Sequence, residues 1–244
     1  MIHILKSDNK MPNIDQTLLD NVSILQLLSI KILPFYITKE VIKSIDYILL
    51  TSKNAINAII QHEYAELFLQ KQAIVIGERT KEKWLQAGGS ILFCPHSSCD
   101  SITLAKLIID KVQKKHLLYI CGQDTANDIE SILQEYCTFS KLIVYESYEN
   151  PNITKHVFDD ESIFIFGSPK NYKIFLKYYK WNPTWFAISL GDTTYASFAD
   201  DIRKLNAKGD FAKALKVAQA MRNDTPMQDN TTPQDSQNSI PAKQ

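Results

Sequence analysis

The chain carries no excess of either charge: 27 lysines and arginines stand against 27 aspartates and glutamates in 244 residues. That balance removes the electrostatic footprint of a general nucleic-acid binder, whose affinity comes from neutralising phosphates, so no nucleic acid is expected as a partner. Long apolar runs are also missing. None reaches the roughly 18 to 20 residues that cross a bilayer, and the opening MIHILKSDNKM lacks the apolar core of a signal peptide. A cytoplasmic protein without a membrane span is expected. Cysteine is scarce, with only Cys94, Cys99, Cys121 and Cys137, which are not spaced as a disulfide scaffold. CPHSSC places His96 between two thiols, but the two-residue spacers of zinc knuckles and a second ligand pair are absent. The plainer reading is a loop after a strand, with no metal.

Several signatures of chemistry are absent too. No G-x-G-x-x-G follows the first apolar run, and no G-x-x-x-x-G-K-[ST] occurs, which disfavours dinucleotide and P-loop nucleotide binding. A transferase acting on a phosphorylated small molecule would need such a glycine-rich loop. No G-x-S-x-G elbow is present. His3, His62, His96, His116 and His156 show no H-E-x-x-H or other catalytic spacing.

What is present is a series of short buried-strand runs: IHIL (2–5), YILL (47–50), AIVI (73–76), LLYI (117–120), LIVY (142–145), IFIF (163–166) and FAISL (186–190). Helical patterns lie between most of them, and this alternation predicts an α/β fold with parallel sheets. Ser52 is placed to cap a helix that buries Ile56, Ile59 and Ile60. Ser168 is placed to cap another, with Pro169 at its first position and Tyr172, Phe175, Leu176 and Tyr179 as its buried stripe. Ser168 lies 116 residues after Ser52, and Gly191 lies 114 after Gly77. Two different turns therefore recur in the same order at nearly one offset, so the chain reads as internally duplicated. Each copy would be a doubly wound domain that binds ligand at the carboxyl ends of its strands. A last helix follows, with Phe211, Leu215 and Ala218 on one side. Residues 225–244 are polar and read as a disordered tail.

Strand-to-helix turns expose unpaired backbone N–H groups at the positive end of a helix dipole, which suits anions. Such turns fall at Ser52, Gly77, Gly122, Ser168 and Gly191. Thr80 and Thr194 each follow a glycine by three residues and would either cap a helix or offer a hydroxyl to a ligand. Two lobes rich in neutral donors suit a large ligand with several carboxylates.

Six segments in order resemble the uroporphyrinogen-III synthase family: DYILLTSKNAINAI, AIVIGERTKEKWLQAGG, LLYICGQDTANDIESIL, LIVYESY, IFIFGSPKNYKIF and FAISLGDTTYASF. The resemblance runs from the first strand to about residue 218. It implies two α/β domains joined by a two-stranded linker, with a ligand cleft between them. The discontinuous first domain would hold 1–35 plus 148–220 and the second 39–144, with crossings at 33–39 and 143–149. It further implies cyclisation of hydroxymethylbilane, a linear tetrapyrrole with eight carboxylates, to uroporphyrinogen III with inversion of ring D and loss of water. The family uses no metal and no organic cofactor. Tyr145 takes the family's crossover tyrosine position as candidate acid. Thr51, Ser52, Gly77, Thr80, Gly122, Gln123, Ser168, Lys170, Gly191, Thr193 and Thr194 would meet the substrate, with Lys53 adding charge. A monomer is expected. The chain departs from the family pattern with Lys6 in place of an arginine, Gly167 in place of a threonine, and Lys81 in place of an alanine. A catalytically inactive synthase-like binding or regulatory protein is the alternative reading.

Overall fold

The computed structural model describes residues 1–7, 14–95, 101–125 and 129–223. His96, Cys99 and the 225–244 tail lie outside the described residues. The chain begins with β1 (Ile2–Leu5), a 3-10 turn (Gln16–Leu19), β2 (Val22–Leu25) and β3 (Leu28–Ile32). Next come α1 (Lys39–Ser44), β4 (Tyr47–Leu50), α2 (Lys53–Ile60), α3 (Ala65–Leu69), β5 (Gln72–Val75), α4 (Glu78–Gln86) and β6 (Ser90–Phe93). After α5 (Ser101–Val112) follow β7 (His116–Gly122), α6 (Ile129–Leu133) and the long β8 (Thr138–Glu149). The remainder is β9 (Ile163–Phe166), α7 (Pro169–Tyr178), β10 (Phe186–Ser189), α8 (Asp192–Ala196), β11 (Arg203–Asn206) and α9 (Phe211–Asn223).

Two sheets result, ordered β11-β10-β9-β1-β2 and β3-β8-β7-β4-β5-β6. All pairs in the first are parallel, and in the second only β3 with β8 is antiparallel. Side chains alternate across each sheet because the strand repeat is two. Ile48 and Leu50 of β4 pack beneath Ala55, Ile56 and Ile59 of α2, while Leu49 packs on the other face against Leu104 and Ile108 of α5. In the first sheet Phe164 and Phe166 meet Tyr172 and Phe175 of α7, while Ile163 and Ile165 meet Ala214, Leu215 and Ala218 of α9. Helices thus cover both faces of both sheets, as parallel sheets require.

The duplication is visible in the topology. The run β7-β4-β5-β6 has the same spatial order as β1-β9-β10-β11, although β7 follows β6 in the chain and β1 precedes β9. Burial repeats with it: α2 buries Ala55, Ile56, Ala58 and Ile59, and α7 buries Asn171, Tyr172, Ile174 and Phe175, each 116 positions later. Thr80 and Trp84 likewise correspond to Thr194 and Phe198. The same geometry corrects two expected core positions. Ile60 and Leu176 are 41% and 43% exposed, because each sits one residue past the centre of its helix's buried face, about 100° round the axis. Ala58 and Ile174, each two positions earlier, are buried instead.

An antiparallel ribbon joins the two sheets, pairing Leu28–Ile32 with Tyr145–Glu149. It lies upstream of the 33–39 stretch expected as the first crossing. Leu33 still donates to the Val144 carbonyl, but Pro34 has no N–H and ends the ladder.

Candidate functional site

The carboxyl ends of the parallel strands border a cleft of about 740 Å³. Lys6, Ser7, Gln26 and Phe211 line it from the first sheet and its helices. Ser29, Ile30 and Tyr148 of the ribbon, Ser52, Lys53, Asn54 and Asn57 of the α2 turn and helix, and Arg79 and Lys83 of α4 complete it. Four cationic side chains therefore face the space, and no aspartate or glutamate does. Among the described residues Lys53, Arg79 and Lys83 make no ion pair. Lys6 sits 5.8 Å from the centre of the Phe211 ring. Open α/β sheets bind ligands at this end because several helix N-termini point there.

Each expected residue has a definite place around this cleft. Ser52 caps α2, its Oγ accepting from Asn54 N at 3.1 Å. Thr51 turns inward, its Oγ1 3.2 Å from the Tyr119 hydroxyl, whose pKa burial pushes up to about 12. Gly122 ends β7 at a bulge opposite Tyr145, and Gln123 N donates to the Tyr145 carbonyl at 2.9 Å. A Cβ on Gly122 would come within 2.6 Å of the Tyr145 ring, so only glycine lets the ring lie there. Burial raises the Tyr145 phenol pKa, and a side-chain hydrogen bond from Ser52 opposes that rise. Tyr145 itself is not among the residues lining the cleft; it reaches the cleft through Ser52.

The two glycine turns differ. Gly77 caps α4 at φ 89°, a backbone conformation that favours glycine, whereas Gly191 precedes α8 in extended backbone that any residue adopts. Neither Thr80 nor Thr194 caps its helix through its side chain; both are third in their helices and are buried. Burial at matching core positions is sufficient to account for the repeat. Thr193 is exposed on α8.

Ser168 caps α7, with Oγ accepting from Asn171 N at 3.3 Å and Asn171 Nδ2 at 3.1 Å. Ser168→Ala removes both bonds beside a buried amide, and a loss of about 1 to 2 kcal/mol is expected in urea unfolding; an unchanged midpoint would dismiss the cap. Lys170 reaches from α7 to Asp124 Oδ2 at 2.6 Å and to the Ser147 carbonyl, holding the Asp124 carboxyl below its usual range. It ties the first sheet's helix to the second sheet instead of facing the cleft unpaired.

Sequence reasoning did not single out Arg79, Lys83, Asn54, Asn57 or Tyr148, and it read Phe211 only as part of a helix face. The available signal was the four-residue spacing of Arg79 and Lys83, which puts both on one helix face. Among the described residues no cluster of three histidines, cysteines or carboxylates is placed to hold a metal ion, and no helix is long and apolar enough to cross a membrane.

A family model described as uroporphyrinogen-III synthase HemD matches residues 27–207. Among solved structures, the uroporphyrinogen-III synthetase of Helicobacter pylori is similar with a TM-score of 0.69 at 20% identity, covering 91% of this chain and 100% of that one. A mutant uroporphyrinogen III synthase from the extreme thermophile Thermus thermophilus is similar with a TM-score of 0.56 at 10% identity, covering 91% and 98%. No curated protein matches the sequence.

Proposed function

Since the chain belongs to the uroporphyrinogen-III synthase family, cyclising lyases of haem biosynthesis, we propose that the cationic cleft is where it receives hydroxymethylbilane. The reaction is closure of that linear tetrapyrrole to uroporphyrinogen III, with ring D inverted and water released. The observation that carries the site assignment is the lining itself: four cations, several amide and hydroxyl groups, and no carboxylate around about 740 Å³. A ligand with eight carboxylates complements it.

The chemistry makes two demands. The terminal C–O bond must break, hydroxide leaving as water once protonated, to give an azafulvene cation. The substituted carbon of ring D must then attack, forming a spiro intermediate that fragments and recloses. Holding the chain so that this carbon lies nearest is an orientation effect, worth up to roughly 7 to 11 kcal/mol in favourable cases. We assign that holding to Lys6, Lys53, Arg79 and Lys83 with Ser52 and the backbone donors at Ser52, Gly77 and Ser168. Tyr145 is assigned the proton transfer by way of Ser52, which lines the cleft and is the hydrogen-bond partner of the phenol. Thr80 and Thr194 are assigned to packing. The two sheets are taken as two domains divided between Leu25 and Leu28 and again after Glu149, with the ribbon as hinge.

The test generates hydroxymethylbilane in situ with a purified deaminase, adds this protein, oxidises the products and separates type I from type III uroporphyrin. Type III is expected to predominate. Type I alone, from folded protein with an active control, overturns the assignment.

A further inference from the structure

We propose that Arg79 and Lys83 are specificity-determining residues that let the cleft select tetrapyrroles by their number of carboxylates. The inference rests on the synthase reading for the kind of ligand and goes beyond it in naming what the protein counts. Arg79 and Lys83 lie one turn apart on α4 and both line the cleft. The acids of the same helix are Glu78, 2.8 Å from Lys81 Nζ, and Glu82, and neither is among the lining residues. Lys53 lines the same space from α2, which packs against α4. Three cations that make no ion pair among the described residues thus line one space in a protein whose charges balance overall. Crowded like charges repel, so the arrangement favours a bound polyanion over an empty cleft.

Selection follows from what a poorer ligand leaves behind. A uroporphyrin-type ligand bears an acetate and a propionate on every pyrrole, so either edge of a ring presents a carboxylate to α4. A coproporphyrin-type ligand has methyl groups in place of the acetates and only four carboxylates. Bound in the same cleft, it covers Arg79 and Lys83 with methyl groups and takes water from them without giving an anion in exchange. Discrimination of this kind comes from the penalty on the wrong ligand as much as from attraction to the right one. Lys6 differs from the α4 pair in lying on the opposite wall over Phe211, so it orients a ring without counting its edges.

The experiment titrates the full-length protein with uroporphyrin III and with coproporphyrin III, following porphyrin fluorescence at low and at physiological salt. Wild type is expected to bind uroporphyrin at least about tenfold more tightly, with the preference shrinking as salt screens the charges. In the Arg79→Gln/Lys83→Gln double variant the preference is expected to fall by roughly tenfold, uroporphyrin binding more weakly and coproporphyrin somewhat more tightly as its desolvation penalty is relieved. A preference that survives the double substitution, or a wild type that does not discriminate, overturns the proposal. Neither side chain is in the core, and matching melting temperatures verify that the variant is folded. The two readings fail separately. Charge-dependent discrimination without type III product removes the enzyme assignment alone, and type III product with discrimination indifferent to Arg79 and Lys83 removes this one alone.

Discussion

Tyr145→Phe is expected to lower kcat by about a hundredfold, the lower end of what a positioned general acid contributes, while KM and melting temperature stay close to wild type. The phenol is held by the bulge at Gly122 and by Ser52, so deleting one oxygen leaves the ring in its slot over a glycine that admits nothing larger. Burial raises its pKa, so the proton is retained through neutral pH and the group stays competent as a donor. The slow background closure without inversion gives type I, so loss of the acid should also raise the type I fraction. Gly122→Ala supplies an independent check, since its Cβ would push the ring aside while leaving the hydroxyl present. It should reproduce much of the loss. Unchanged kcat in Tyr145→Phe would return the residue to packing between ribbon and sheet.

Much of this architecture was legible because buried parallel strands announce themselves. IFIF and YILL are apolar at every position, as strands covered on both faces must be. The strands that gave no such signal are β2, β3, β6 and β11, and these are the four sheet edges. An edge strand is covered less completely, so it tolerates sequences such as RKLN and LSIKI that look like loop or helix surface. The site divides along a similar line. Ser52, Ser168 and Gly77 were readable because capping and positive φ demand particular residues. Arg79 and Lys83 were not, because a cation on a helix face looks the same in sequence whether it meets water or a cleft. Only the approach of the other sheet's Lys6 and Phe211 makes that face the wall of a site. The paired threonines show the converse: a repeat that drew a functional reading is matched in the fold by a repeated buried position.

Acid sensitivity is the largest effect expected on stability, and it traces to His3. The imidazole is 5% exposed, stacked on Phe164 at 5.0 Å and edge-on to Phe158 at 4.7 Å. Its Nδ1 is 2.7 Å from Ser23 Oγ, and its Nε2 has no partner. A neutral ring tolerates this with Nδ1–H donating to the serine and a bare lone pair at Nε2. A protonated ring would place an N–H at Nε2 with nothing to accept it, in an aromatic enclosure. Burial, aided by His156 and other nearby positive charge, accordingly lowers the pKa to about 4 from 6.5. The sign follows from linkage. Above pH 6.5 both folded and unfolded chains hold the neutral ring, and no stability is lost. As pH falls toward 4 only the unfolded chain takes up the proton, costing the folded state up to roughly 3 kcal/mol. The carboxylates held low by partners, such as Asp124 and Glu149, add their own loss only below their unfolded pKa values, at more acidic pH. Urea midpoints measured between about pH 7 and 5 avoid the carboxylates, and comparison with His3→Gln separates the imidazole from the Met1 amine, whose pKa burial also lowers. In wild type they should fall steadily, and in His3→Gln, whatever its starting stability, they should stay nearly flat. Parallel slopes in the two proteins would place the acid-sensitive group elsewhere in the fold.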